Sequence, residues 1–391
     1  MNMKKILIIA HDSGLRGAER VVAEEARELM LEGWNVLVVI PSRNGGLYDY
    51  LGNIGVPRTT IRYFAWMGPG KMKGRIFRTA GNLLAIPQFL VLFKVQKPDI
   101  VHVHSVACGI GAISSRLGGI CHVWHFHEQG PYAISADRPV FDLGERLSLA
   151  LIRWCKSHFV AVSKTTARTF TTKLNVDEIG VIYQPINLNT EVSSSDKSKL
   201  EKIFDWPGRK LIVVGALIEW KDPVTILRAM ASILKVFPDV GLFYVGSDPI
   251  GMGQEIDALA LRLGVSENTF RIGEVENAHP AIRIADACVV AAIDEGFGRV
   301  QVEAMLSETS VVVADVPVNR EVADESNVDF FKAGDSESLA SAVISMFNRS
   351  ENEQRRRRAE ALNYAEESFS PVATGQALKV MLNSVLRNSH N

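Results

Sequence analysis

The 391-residue sequence contains only four cysteines, Cys108, Cys121, Cys155 and Cys288, and no Cys-x-x-Cys pair. This spacing excludes a disulfide-stapled scaffold and the common zinc knuckles, and it is typical of a reducing cytoplasm. Glycine and proline show no repeat period, which excludes collagen-like and low-complexity chains. With 47% hydrophobic and 22% charged residues the composition is that of a globular protein, and the length favours two domains.

Long hydrophobic runs are also missing. The apolar residues after Lys4 and Lys5 extend only over 6–10, too few for a secretory signal. The longest run, 83–93, contains Pro87 and Gln88 and is much shorter than the ~20 residues of a membrane helix. We therefore expect a cytoplasmic protein without a membrane-spanning segment.

The net charge of −1 hides a division between the two halves of the chain. Residues 1–190 contain 22 Lys or Arg against 14 Asp or Glu, whereas residues 191–391 contain 21 against 30. A basic half indicates an anionic partner. No nucleic-acid-binding signature accompanies it, so we predict no nucleic-acid partner.

Short apolar runs alternate with amphipathic stretches, a pattern that predicts an α/β protein with parallel sheets covered by helices. The polar segment 191–209 predicts a linker between two doubly wound, Rossmann-like domains, 1–190 and 210–370. Ser370 and Pro371 predict the start of a last helix over 371–391, which we expect to pack back on the first domain. Because ligands bind at the carboxyl ends of parallel strands, we expect the site in a central cleft that both domains face.

Histidines cluster at positions 102, 104, 122, 125 and 127. Side chains alternate along a strand, so His102 and His104 share one face, as do His125 and His127. A His-x-His metal site is one interpretation. The favoured interpretation is that these strands end at a polar cleft, with one functional histidine and the others buried and hydrogen-bonded. His127 is the candidate, because Glu128 and a Gly-Pro loop follow it.

The most informative motif runs from Glu295 through Gly296-Phe297-Gly298 to Glu303. Eight helical positions would separate the two carboxylates by roughly 12 Å, unlike the ~5 Å pair of a retaining glycosidase. This spacing suits a long ligand with hydroxyls at both ends and phosphates between them, such as a sugar nucleotide. Lys221 precedes a predicted helix and is either a phosphate ligand or a surface lysine.

Several segments in chain order resemble the retaining family-4 glycosyltransferases of the GT-B fold. They are RGAER (16–20), KPDIVHVHS (97–105), HFHEQG (125–130), GALIEWKD (215–222) and the E-x7-E segment that closes with EAM. The resemblance covers nearly the whole chain. It implies transfer of a hexose from a nucleotide-diphosphate sugar to a lipid-linked or polysaccharide acceptor in cell-surface glycan synthesis. It also implies that the reaction needs no metal and no cofactor.

The resemblance also implies roles by position. The catalytic residues would be His127, which orients the sugar, Lys221, which contacts the diphosphate, and Glu295, which holds sugar hydroxyls. The donor-binding residues would be Gly17, Phe297, Gly298, Arg299 and Glu303. In addition, we expect Arg16 and Glu128 to bind the acceptor. Ala216 stands where the family has an arginine, so we predict that Arg299 or Arg16 supplies the second cation.

Two other functions remain open. One is a catalytically silent homologue that acts as a partner subunit, which the loss of the usual arginine at Ala216 favours. The other is a GT-B-type sugar-nucleotide epimerase.

The segment 71–97 raises a separate question, because basic residues flank its apolar run 83–93. The run by itself favours a core helix packed on the sheet. Its cations, and Trp66, Met67 and Met72 before it, favour weak binding of the first domain to an anionic membrane at the inner face of the cell.

Overall fold

The computed structural model describes residues 3–68, 71–129, 140–188 and 194–389. The chain forms two compact units: unit 1 comprises Met1–Ile186 and Phe369–Asn391, and unit 2 comprises Asn187–Ser368.

Unit 1 is built on a parallel sheet. Its strands, among the residues described, are β1 Lys5–Ile9, β2 Asn35–Ile40, β3 Arg58–Thr60, β4 Met67–Gly68, β5 Ile100–His104, β6 His122–Phe126, β7 Val140–Phe141, β8 His158–Ala161 and β9 Gly180–Val181. Seven of them pair in the order β3-β2-β1-β5-β6-β8-β9, and β4 and β7 form a separate antiparallel pair. Every residue of β5 and β6 is buried, as expected for central strands covered on both faces.

Helices cover both faces of this sheet. They are α1 Gly17–Leu31, α2 Gly46–Asn53, α3 Met72–Gln96, α4 Gly109–Leu117, α5 Glu145–Cys155 and α6 Lys164–Leu174. Side chains of α1 and α2 pack with Ile6 and Ile8 of β1 on one face. Side chains of α3 to α6 pack with Leu7 and Ile9 on the other. The alternation of β1 residues between the two cores is the period-2 pattern of a buried strand.

Unit 2 repeats this architecture. Its strands are β10 Lys210–Val214, β11 Gly241–Val245, β12 Thr269–Gly273, β13 Ala287–Val290, β14 Ser310–Ala314 and β15 Asp329–Phe331, and its helices are α7 Ser194–Phe204, α8 Pro223–Val236, α9 Gly253–Leu263, α10 His279–Ile284, α11 Arg299–Leu306, α12 Pro317–Val322, α13 Ser336–Phe347 and α14 Glu351–Phe369. The sheet is parallel, in the order β12-β11-β10-β13-β14-β15. The strand order therefore reverses between β10 and β13, as it does between β1 and β5 in unit 1. Loops at such switch points are where doubly wound sheets bind ligands.

The last helix, α15 Pro371–Ser389, begins at the predicted proline and belongs to unit 1. Leu378 and Leu382 are fully buried in the same core as Val22 and Leu29 of α1. The amide of Ile186 donates to the carbonyl of Phe369 at 2.9 Å, so the chain leaves unit 1 and returns to it at neighbouring points.

The segment 191–209, predicted as a linker, contains α7. Leu200 and Ile203 of this helix are buried, and the Asp196 carboxylate accepts the backbone amides of Glu276 and Asn277 at 2.9 and 3.2 Å. The segment therefore contains an amphipathic helix of unit 2. The sequence did not predict it, because its start is rich in serine and because two buried residues three positions apart give only a short periodic pattern.

The expectation for 83–93 also needs correction. The helix α3 runs through Pro87 from Met72 to Gln96, so the apolar run is part of a longer element. Among the residues described, α3 is long and apolar enough to span a membrane, judged by length and composition alone. Of its most apolar 18-residue stretch, 22% is buried. Trp66, which was expected to favour membrane binding, is only 5% exposed, and its indole N–H donates to the Val106 carbonyl at 2.7 Å. It is therefore a core residue and does not contribute to such a surface.

Candidate active site

Two loops of unit 2 leave neighbouring strands at the switch point and meet through a charged pair. Lys221 follows β10 and Glu295 follows β13, and the Lys221 ammonium contacts a carboxylate oxygen of Glu295. The amide of Ile293 donates to the carbonyl of Trp220 at 2.9 Å and joins the two loops beside this pair. The two charged side chains are 25% and 15% exposed, so a ligand can reach them.

Two glycines bring the backbone close together at the base of the Lys221 loop. Gly215 and Gly246 both have positive φ, and a Cβ on Gly246 would lie 1.9 Å from the Gly215 carbonyl oxygen. Only glycine fits this approach. The loop that carries Lys221 therefore starts from a fixed backbone position.

The second predicted carboxylate, Glu303, lies on α11 and is held by two donors. Arg299 Nε donates to Glu303 Oε1 at 2.8 Å, and His279 Nε2 lies 3.5 Å from the same oxygen. Burial raises the pKa of Glu303, but the hydrogen bond with His279 and the charge of Arg299 outweigh it and lower the pKa to about 2. The structure thus brings predicted Glu303 and Arg299 together. His279 was missed, since its only signal is a histidine before Pro280 at a helix start.

Phe297 and Gly298 lie at the start of α11. Phe297 is 2% exposed, and Gly298 takes a left-handed φ of 86° at the helix N-cap. A Cβ at Gly298 would lie 3.4 Å from the side-chain oxygen of Asn319. Phe297 thus anchors the loop, and glycine lets the chain turn into the helix.

In unit 1, predicted His127 follows β6 and is 6% exposed. Its Nε2 lies 2.9 Å from His104 Nδ1, and its Nδ1 lies 3.3 Å from the side-chain nitrogen of Gln184. Burial lowers the pKa of His127 well below its usual value, so the ring is neutral near pH 7. Gln184 was not among the predicted site residues, and the structure shows that it contacts His127.

Predicted Glu128 caps the loop that follows β5. Its carboxylate accepts the Ser105 hydroxyl at 2.7 Å and the Val106 amide at 3.3 Å. Ser105 has a left-handed φ of 71°, and the indole N–H of Trp124 donates to its carbonyl at 2.8 Å. Glu128 therefore fixes a strained turn at the switch point, and part of its surface stays exposed.

Predicted Arg16 and Gly17 lie at the start of α1, after β1, and both are exposed. The Arg16 amide donates to Glu19 Oε2 at 3.1 Å, and His11 Nε2 lies 3.2 Å from Glu19 Oε1. Glu19 thus ties the loop to the first turn of the helix.

The prediction that the other histidines are hydrogen-bonded is confirmed for His104, whose Nδ1 contacts His127 Nε2, and for His122, whose Nδ1 contacts the Ile120 carbonyl at 3.0 Å. It is wrong for His102, whose ring nitrogens have no hydrogen-bond partner among the described residues. His102, His104 and His125 all surround the carboxylate of Glu25 on α1, at 3.3–3.7 Å. These separations exceed the usual range for N–H···O hydrogen bonds. Glu25 was missed, although its signal was present: the acid occupies the apolar stripe of α1 between Val22 and Leu29.

Two protein-family models match the chain, one for each half. Residues 15–190 match "Glycosyltransferase Family 4", and residues 196–363 match "Glycosyl transferases group 1".

Curated relatives include a phosphatidyl-myo-inositol mannosyltransferase from Mycobacterium leprae, 28% identical over 194 residues. An O-antigen chain mannosyltransferase from Salmonella typhimurium is 28% identical over 196 residues. These matches cover 48% and 49% of this chain and 49% and 51% of the relatives. The chain thus spans about half the length of the curated relatives it matches.

Solved structures with the same fold cover nearly the whole chain. HepE from Anabaena, in complex with UDP-glucose, is 21% identical with a TM-score of 0.77, covering 97% of this chain and 99% of that one. A glycosyltransferase from Rickettsia africae is 17% identical with a TM-score of 0.79, covering 99% and 100%. Together with the two parallel sheets, this likeness establishes the GT-B fold.

Proposed function

The chain is built from the two domains of the GT-B glycosyltransferases, and from this premise we propose that it transfers a hexose from a nucleoside-diphosphate sugar to a glycan or lipid-linked acceptor, with retention of configuration. The observation that carries the proposal is the Lys221–Glu295 pair, which is partly exposed between the loops that follow β10 and β13. A cation and a carboxylate side by side suit a diphosphate joined to a sugar, since one binds phosphate oxygens and the other accepts sugar hydroxyls.

The neighbouring residues suit the rest of such a donor. Glu303 is ionised at neutral pH and can accept ribose hydroxyls. The first amides of α11, after Gly298, and the positive end of its dipole suit phosphate. Fixed dipoles and Lys221 stabilise the leaving diphosphate without a catalytic metal in this proposal. The solved relative that binds UDP-glucose and the two mannosyltransferase relatives are consistent with a nucleotide-sugar donor.

The test is incubation with a panel of UDP-, GDP- and dTDP-hexoses, with and without lipid-linked acceptors. We expect release of nucleoside diphosphate that increases with acceptor, and a product with the anomeric configuration of the donor by NMR. A silent homologue, favoured by Ala216, would bind donor without turnover. An epimerase would convert the donor without an acceptor. A product of inverted anomeric configuration would reject the retaining mechanism but not the transfer of a hexose.

We further propose that α3 places unit 1 on an anionic membrane surface, at the cytoplasmic face, near a lipid-linked acceptor. One continuous stripe of α3 is exposed and largely apolar: Met72, Ile76, Phe77, Leu83, Leu84, Val91 and Val95. Leu84 is 72% and Val95 69% exposed, whereas Ala85, Phe89 and Phe93 of the opposite stripe are buried in unit 1. The helix thus packs on its domain through one face and presents an apolar face outward.

The positive charge around the exposed stripe of α3 favours an anionic lipid surface as the partner. Residues 51–100 contain eight Lys or Arg and one Asp. Lys71 and Lys73 are exposed at the start of the stripe, and Lys94 and Lys97 at its end. Arg75 and Arg78 are not solvated cations, because both bind Asp142. Lysines around an apolar face favour anionic headgroups over neutral ones.

Cosedimentation with anionic and neutral vesicles tests this surface. We expect salt-sensitive binding to anionic vesicles, reduced roughly tenfold or more by Leu84→Glu with Val91→Glu. Leu261→Glu is the matched control, since Leu261 is 73% exposed on α9 of unit 2. Equal partitioning to both vesicle types, or none to either, would reject the proposal.

A further inference from the structure

Four buried side chains from three elements of unit 1 converge on one point. We call them the Glu25 cluster: Glu25 from α1, His102 and His104 from β5, and His125 from β6. The side chains are 0–2% exposed, and their nearest ligand atoms all lie within 4.8 Å of one another. The sheet dictates this arrangement, because His104 is registered beside His125 and His102 lies two positions away on the same face.

The polar atoms that point into this cluster have no hydrogen-bond partner among the described residues. They are both carboxylate oxygens of Glu25, Nδ1 of His102, Nε2 of His104 and Nδ1 of His125. An unpaired buried polar atom costs roughly 1–3 kcal/mol, so five of them would rival the ~5–15 kcal/mol that stabilise a whole domain. Native interiors pair such groups or place an ion between them.

The distances distinguish a bound ion from shared protons. Glu25 Oε2 lies 3.5 Å from His102 Nδ1 and 3.3 Å from His104 Nε2, and Glu25 Oε1 lies 3.7 Å from His125 Nδ1. N–H···O hydrogen bonds are usually about 2.7–3.2 Å long. A tetrahedral zinc site with metal–ligand bonds of about 2.0–2.2 Å has ligand–ligand edges of about 3.3–3.6 Å. The two separations from Oε2, 3.3 and 3.5 Å, fit the edges of a tetrahedron better than they fit hydrogen bonds. His125 lies 3.7 Å from the other oxygen of the same carboxylate.

We propose that the Glu25 cluster binds one divalent transition-metal ion, zinc by its three nitrogens and one oxygen. Four protein ligands in a fully buried site make it a structural ion that joins α1 to the two central strands, separate from the donor site of unit 2. Imidazole binds metal ions in its neutral form, and the three rings are fully buried.

The ion would also orient His127, a consequence that rests on the proposed function. When His104 Nε2 binds the metal, the ring proton must lie on Nδ1, which then donates to His127 Nε2 at 2.9 Å. His127 Nδ1 then carries the other proton and donates to the side-chain oxygen of Gln184, whose amide would be flipped. Without metal, a proton on His104 Nε2 would reverse the direction of both hydrogen bonds, so that Gln184 donates to His127 and His127 donates to His104. His104 is thus a positioning residue for His127.

The test starts from native protein without a histidine tag, whose metal content is measured by mass spectrometry. We expect about one zinc per chain. Protein refolded after chelation should regain a Tm higher by roughly 5–10 °C when zinc is supplied, and refolding with Co²⁺ should give the visible absorption of a tetrahedral site. Glu25→Gln and His125→Gln should lower metal content at least tenfold, while His158→Gln, which changes an exposed histidine of the same unit, should leave it unchanged.

Metal-free native protein, no Tm response to zinc, or equal metal content in the cluster variants and His158→Gln would each overturn the site. If the cluster variants fail to fold, the metal content and Co²⁺ spectrum of the native chain still decide. These measurements do not depend on catalytic turnover. A chain that binds zinc but has no transferase activity would therefore contradict the proposed function and leave the metal site intact. In Glu25→Gln we expect a lower kcat with unchanged nucleoside-diphosphate affinity; weakened nucleotide affinity would contradict the positioning role.

Discussion

Each unit contains a buried glutamate beside histidine, and the two differ in what surrounds the carboxylate. In unit 2, Glu303 has Arg299 Nε at 2.8 Å and His279 at 3.5 Å, and its pKa is lowered to about 2. In unit 1, Glu25 faces only neutral imidazoles among the described residues, and burial raises its pKa to about 7. The unit 2 glutamate is therefore a complete ion pair, whereas the unit 1 glutamate lacks a cation.

The contrast shows how similar residues serve different purposes. A carboxylate with its own cation stays ionised and can bind a neutral polyol such as ribose. A carboxylate surrounded by neutral imidazoles has the ligands of a metal site. The Lys221–Glu295 pair is a third case, since its cation and anion are both partly exposed and can separate to contact a ligand.

The largest effect on activity should come from changes in the Lys221–Glu295 pair. We expect Lys221→Ala and Glu295→Ala each to lower kcat/KM by roughly ten- to a thousandfold, about 1.4–4 kcal/mol, because each side chain would meet charge or hydroxyls near the breaking bond. Lys199→Ala is the control, since Lys199 is exposed at the surface of unit 2, where its ammonium donates to the Glu274 carbonyl. Near-normal turnover in both variants would defeat the assignment.

The sequence predicted much of this fold because its signals are local. The strand–helix alternation and the Ser370–Pro371 helix start are read from short stretches of sequence, and they predict two doubly wound domains with a last helix. The GT-B fold was implied by the family resemblance, which rests on short motifs such as the E-x7-E segment. The sequence grouped the histidines of the Glu25 cluster and left a His-x-His metal site as one interpretation, but it did not join them to Glu25. Strand register and the packing of α1 on the sheet bring these side chains together from distant segments. The buried contact of Gln184 with His127 and the exposed stripe of α3 likewise depend on packing, which a window of sequence does not contain.

The next effect concerns acid, and it tests the unit 2 side of the comparison. The pKa of Glu303 is lowered from 4.5 to about 2, so its stabilisation is complete above pH 4.5 and is lost as pH falls through about 2. We expect the free energy of urea unfolding to fall by on the order of 2–3 kcal/mol across this window. Glu303→Gln should remove most of that dependence. A slope in the variant equal to that of the native protein would show that other carboxylates dominate.

A smaller effect concerns the second cation that Ala216 does not supply. We expect Arg299→Met or Arg16→Met to weaken nucleoside-diphosphate binding by roughly tenfold, measured by calorimetry. Arg299 is already bound to Glu303, so its loss should also destabilise unit 2, whereas loss of the exposed Arg16 should leave stability unchanged. Unchanged affinity in both variants would exclude both arginines as the second cation.

The smallest effect should come from Glu32, on the same segment as Glu25 but at the surface. Glu32 is the C-cap of α1, is 40% exposed, and contacts Lys379 of α15. An exposed ion pair contributes about 0.2–1 kcal/mol, and a negative charge at a helix C-terminus opposes the helix dipole by about 0.3–1 kcal/mol. The two terms have opposite signs, so Glu32→Gln should change the free energy of unfolding by less than about 0.5 kcal/mol and leave the metal content unchanged. A loss comparable to that of Glu25→Gln would mean that the contact of α15 with α1, rather than a metal ion, holds this helix on the sheet.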